Sequence, residues 1–218
     1  MNVSAVQEER GPRRLKELKK IPNSCRPSSL KCEDNRQILV QILVTCLQQA
    51  QQNSLQFQSI SKLQRDTILQ HVWSELFVLR ASHWPIDISN ALESCLYGEG
   101  SDVNAQHLMD IIKATKALNA DLMELSLLET LILSRPDLAI DNRERSQLNF
   151  NLESAAIRLA FYVSTNGIHH VKQEEICCVK IPLRFSKILL ALRNLTIQQN
   201  RFKTALNHLF CDKVEDKS

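Results

Sequence analysis

Two clusters in the sequence carry residue types that ligate metals or act as nucleophiles. His169-His170 stands shortly before Cys177-Cys178, and Cys25 and Cys32 have six residues between them. Zinc centres draw ligands from pairs at short fixed spacings. The first cluster has no such spacing, and the second has no partner pair. The histidines and adjacent cysteines are therefore read as residues of a connecting loop, and Cys25 and Cys32 as plain thiols. No metal site is expected.

Acid–base chemistry needs two groups within reach of one substrate. Asp66 and Glu75 are nine residues apart, about 13 Å along a single helix, so they are read as surface or structural charges. None of the phosphate, dinucleotide, nucleophile-elbow or zinc-peptidase motifs (GxxxxGK[ST], GxGxxG, GxSxG, HExxH) occurs. The chain is expected not to be an enzyme. Arg80 and His83, close to Trp84, can turn toward an interior cavity. A buried guanidinium needs an anion, and a side-chain carboxylate is expected in preference to an acidic ligand.

Helices must hold these side chains. Four Gly and six Pro in 218 residues leave few turns, and Leu, Gln, Ala, Lys and Glu are plentiful helix formers. Aromatic content of 5% argues against a β-sandwich. A stripe at i, i+3, i+4 spacing starts with Ile38, Leu39, Ile42, Leu43, Cys46 and Leu47. The next runs through Ile68, Leu69, Val72, Trp73, Leu76, Phe77 and Leu79. From Leu76 to Leu79 it is apolar nearly all round, which predicts a helix through the centre of the fold. Trp84-Pro85 ends it, because the residue before proline is pushed out of the α region.

A short helix follows over 87–97, then a loop at Gly98-Glu99-Gly100-Ser101. Further helices are expected from Val103 to Ile112, from Leu122 to Ile132 with Pro136 as its stop, and from Leu148 to Val163. Asn166-Gly167 is read as the stop signal of the last of these. A final helix from about Pro182 carries Leu183 to Phe210. So many helices around one buried helix imply an all-α layered sandwich rather than a four-helix bundle.

Charge is uneven along the chain. Residues 1–31 hold eight Lys and Arg against three Glu, a balance of +5, so the remainder is −2 within the total of +3. With Gly11-Pro12, Pro22 and Pro27-Ser28-Ser29 as breakers, residues 1–34 are read as a basic arm and 35–218 as one helical domain. Such an arm suits phosphate or an acidic partner. Seven scattered cysteines, an odd number, suit reduced intracellular thiols. No secretory or membrane-spanning segment is read in the sequence.

Two stretches resemble nuclear receptors. Residues 57–79, from Phe57 through Trp73-Ser74-Glu75-Leu76-Phe77, followed by Trp84, look like the signature of the family's ligand-binding domain. They are most similar to the photoreceptor-specific receptor and tailless subgroup. Met1-Asn2, Ala5-Val6-Gln7 and Glu9-Arg10-Gly11-Pro12-Arg13 resemble the end of that subgroup's zinc-finger DNA-binding domain and its extension. Leu128 to Pro136 and Arg184-Phe185-Ser186-Lys187 give further, weaker matches. The resemblance implies a ligand-binding-domain fold, a nuclear location and an orphan receptor that regulates transcription. It implies no cofactor in this chain, and zinc in fingers upstream of Met1. It makes Arg10, Arg13 and Arg14 candidates for DNA contact through the arm. Phe57, Trp73, Glu75, Leu76, Phe77 and Trp84 become the signature core, with Glu75 as an intramolecular anchor. Arg184, Lys187, Ile188 and Leu192 become a dimer surface for a homo- or heterodimer.

The departures from that family carry the functional expectation. Activating receptors dock the helical LxxLL motif of coactivators in an apolar groove with charged end clamps. The corresponding positions here are Gln48, Gln52, Lys62, Asp66 and Gln70. Gln52 stands where a clamp lysine belongs, and Asp66 where the family has Val or Ile. After Leu209-Phe210 the sequence has no activation-helix pattern, and Leu189-Leu190-Ala191-Leu192-Arg193 lacks the family's Leu-Pro step. The expectation is a constitutive or repressor-type domain with a degraded coactivator groove and a co-repressor protein as partner, its ligand unknown. The alternatives are a helical adaptor that only pairs with proteins and a lipid-carrying helical domain.

Overall fold

The computed structural model describes residues 28–53, 55–96, 103–169 and 180–211. All secondary structure among them is helical: α1 Ser28–Asn53, α2 Leu55–Gln58, α3 Lys62–Ser82, α4 Ser89–Leu96, α5 Val103–Lys116, α6 Leu122–Leu133, a 3-10 turn Pro136–Leu138, α7 Asn142–His169 and α8 Lys180–Cys211.

α3 is the organising element. Its entry is fixed by Ser61, whose hydroxyl accepts from the Gln64 amide at 3.2 Å, an N-cap that satisfies one orphan donor. From Ser74 to Leu79 every residue is buried, so the helix has no solvent face there. It packs on α1, α5, α6 and α8 at once. The expected central helix is therefore present. α1 packs on α3 and α4, α6 on α7, and α8 on α5 and α7 as well as on α3. Each buried Leu, Ile or Phe contributes about 1.5–3 kcal/mol. Leu39 and Ile42 of α1, Leu76 and Phe77 of α3, Leu108 of α5, Leu128 of α6, Leu159 of α7 and Phe202 of α8 form one continuous core.

Polar staples fix the helices against each other. Gln64 is fully buried; its Nε2 donates to Leu138 O at 2.9 Å and its Oε1 accepts from Ile140 N at 2.7 Å. At the start of α6, Asp121 and Glu124 form a reciprocal capping box. Tyr162 of α7 donates its hydroxyl to Asp121 Oδ2 at 2.9 Å. Arg36 of α1 donates to Phe210 O at 3.1 Å and holds the C-terminal end of α8.

Two boundaries differ from the sequence reading. α1 begins at Ser28, so the first seven residues of helix fall inside what reads as a basic arm. Ser28 and Ser29 are helix-start residues as readily as turn residues. α7 passes through Asn166-Gly167 and ends at His169. A glycine inside a helix costs only about 0.5–1 kcal/mol relative to alanine, too little to stop a 28-residue helix. α6 ends at Leu133, just before Pro136, and α3 ends at Ser82, just before Trp84-Pro85, as proline geometry requires. No described helix is long and apolar enough to cross a membrane.

Candidate functional site

The positions singled out on α3 form one outward stripe. Lys62, Asp66 and Gln70 follow each other at four-residue spacing, and all are exposed. Leu63 beside them is 67% exposed. Lys62 and Asp66 meet Gln51, Gln58 and Arg65 around a cleft of about 480 Å3 between the ends of α1 and α2 and the start of α3. The wall is made of amides and charges, not of apolar side chains. Arg65 closes its floor by donating to Gln58 O at 3.2 Å and Ile60 O at 3.1 Å. Gln58 donates to Gln52 O at 2.9 Å.

The structure splits the five groove positions. Gln48 and Gln52 are exposed on α1 but do not line that cleft. Gln48 belongs to a second, shallower surface along α1, with Arg36, Val40 and Val44. Gln70 lies farther along α3, and its carbonyl accepts from Lys203 Nζ of α8 at 3.4 Å. Gln199 of α8 donates to His71 O next to it. α8 thus closes the far end of the α3 stripe. Gln51, Gln58 and Arg65 escaped sequence reasoning because nothing in their spacing separates a cleft wall from a solvated face.

The signature residues lie inward. Phe57, Leu76 and Phe77 are buried, and Trp73 and Trp84 are half-buried against the same core. Phe210 of α8 meets Phe77 and Trp73 edge-on, with ring centroids 5.6 and 6.3 Å away, the arrangement ring quadrupoles prefer. Glu75 is 1% exposed. Its Oε1 lies 3.7 Å from Arg135 Nη1, while Arg135 grips Asp137 through two hydrogen bonds of 2.8 and 2.7 Å. Burial pushes the Glu75 carboxyl up from 4.5 to about 7, against the pull of Arg135. Glu75 is thus paired at a distance with Arg135, whose hydrogen bonds go to Asp137. Arg80 finds a different carboxylate: it pairs with Glu129 of α6. His83, at the C-cap, sits against the Leu79 carbonyl and the Ser82 hydroxyl, and burial lowers its pKa.

The expected dimer residues scatter. Ile188 is fully buried in the core, where it cannot meet a partner chain; it falls on the inner line of α8 with Leu195 and Phe202. Arg184 turns into the domain. Its Nε donates to Glu124 Oε1 at 2.9 Å, its Nη2 pairs with Glu124 Oε2, and its Nη1 donates to Leu118 O at 2.5 Å. Nη2 also reaches the carbonyl of Asn119 at 3.3 Å. Asn119 has φ 48°, the left-handed region that asparagine tolerates. Lys187 is exposed and Leu192 half-buried.

Arg10, Arg13 and Arg14, and the cluster of His170, Cys177 and Cys178, lie outside the described residues. Among the described residues no group of His, Cys, Asp and Glu is placed to hold a metal ion. No family model matches the chain, and no curated protein matches it significantly.

Proposed function

We propose that the chain is a helical regulatory domain of an orphan nuclear-receptor type, which represses transcription or acts independently of ligand. The observation that carries this reading is the pairing of two properties on α3. The signature positions Leu76 and Phe77 are buried at the centre of a layered helical domain, as the resemblance requires. The stripe Lys62, Asp66 and Gln70 on the same helix is polar and exposed.

A coactivator helix docks by burying leucines. Covering a carboxylate or amide without giving it a partner costs about 1–3 kcal/mol per group. The Asp66 and Gln70 face therefore disfavours that ligand and leaves co-repressor binding as the regulatory outlet. On this reading the domain works in the nucleus. It reaches DNA through zinc fingers upstream and through Arg10, Arg13 and Arg14, with no cofactor of its own.

The test is a tethering assay. The full chain fused to an unrelated DNA-binding domain lowers the output of a reporter carrying the matching site, with no added ligand. Unchanged or raised output contradicts the proposal.

A further inference from the structure

We propose that α7 is a self-association surface, and that two copies of this chain pair through it side by side and parallel. α7 buries Leu148, Ala155 and Leu159 completely. On its opposite side Phe150 is 64% exposed, Ile157 69% and Phe161 71%. On a helical wheel these three fall within about 40° of each other and about 180° from the buried line. Single exposed apolar residues are ordinary. Three large ones in register along about three turns, diametrically opposite the core, form a second apolar stripe.

The spacing of the stripe names its occupant. Residues 150, 154, 157 and 161 step by four, three and four, the seam pattern of a two-stranded coiled coil. Phe150, Ile157 and Phe161 then meet their own copies across a two-fold axis running along the helix, with the smaller Ser154 between the first two. Arg143, one heptad before Phe150, ends the apolar seam.

Charge fixes the direction. Glu153 and Arg158 are both exposed and flank the seam on opposite sides. In a parallel pair the residue just before one seam position faces the residue five further along on the partner, so Glu153 of one copy meets Arg158 of the other, twice by symmetry. In an antiparallel pair the two glutamates would share one side and the two arginines the other, like charge beside like. The sequence therefore complements itself in the parallel arrangement only.

One helix pair buries less than a standard stable interface, so exchange between monomer and dimer is expected at tens of micromolar. Sedimentation equilibrium of the full chain from 5 to 300 μM reads it. I157D is expected to raise the dissociation constant at least tenfold. E153R and R158E are each expected to raise it several-fold. The combined E153R/R158E exchange is expected to return it to within about twofold of the starting value. All three positions are solvent-facing, and unchanged helical circular dichroism confirms folding. A monomer throughout the range, a dimer indifferent to I157D, or a double exchange no better than its single components overturns the proposal. None of these readouts depends on how the chain acts in transcription.

Discussion

Glu75 lies 3.7 Å from Arg135 inside the core, where its carboxylate has no close hydrogen bond among the described residues, and Arg135 and then the Thr196 side chain favour its charged form against burial. A pair at that separation attracts, but less than a bonded one, and burial charges the carboxylate for its lost water. Arg135 gives its hydrogen bonds to Asp137 instead.

Stability should consequently depend on pH through Glu75. Its pKa rises from 4.5 to about 7 on folding, so folding takes up a proton between those values. The contribution is fully present below pH 4.5 and lost as pH climbs through 7. The full window amounts to about 3 kcal/mol, most of it between pH 5 and 8. Urea unfolding at both pH values, for the protein and for E75Q, isolates it. The native chain is expected to weaken toward pH 8 relative to E75Q. A constant difference between the two would contradict the assignment.

Arg184 and Glu124 should be coupled strongly. Glu124 is 7% exposed at its side chain and its partner 31%. Removing the guanidinium strands a buried carboxylate and two carbonyls. R184M is expected to cost about 2 kcal/mol, a fall of roughly 4–8 °C in Tm for a chain of this size. R184K keeps the charge without the planar fork and should lose an intermediate amount. A Tm within a degree of the native value for R184M would show that α8 is not held there.

Asp121 serves two elements at once. Its Oδ1 accepts the Met123 and Glu124 amides at 2.9 Å, and its Oδ2 accepts from Tyr162. D121A should cost about 1–2 kcal/mol, and Y162F a smaller part of it. Thermal melts of D121A, Y162F and the double variant check this. Strict additivity would mean that the cap and the α7 contact are independent.

Much of this architecture is legible in the residue pattern because burial imposes periodicity. The run Leu76 to Leu79 has no polar face, and only a helix with neighbours on every side can use it. Proline at 85 and 136 marks two helix ends for steric reasons that context rarely overrides. Gly167 misleads because its penalty is small beside the cooperativity of a long helix. Ile188 reads as surface under the family resemblance, although its place on the inner line with Leu195 and Phe202 already assigns it to the core. Gln64 is the subtler case. It stands four residues before Ile68 on the buried line, and a polar residue there needs two partners that only the folded chain supplies, Leu138 and Ile140. Long-range pairs such as Arg80 with Glu129, or Arg184 with Glu124, leave no local signal, since their partners are 49 and 60 residues away.

The central claim is that the outer stripe of α3 is too polar to seat a leucine-bearing helix. Fluorescence anisotropy of a labelled LxxLL peptide titrated with the full chain tests it directly. The expected result is no saturation up to several hundred micromolar. Saturable binding with a low-micromolar Kd, abolished by a charge at Leu63 or by D66R, would contradict it.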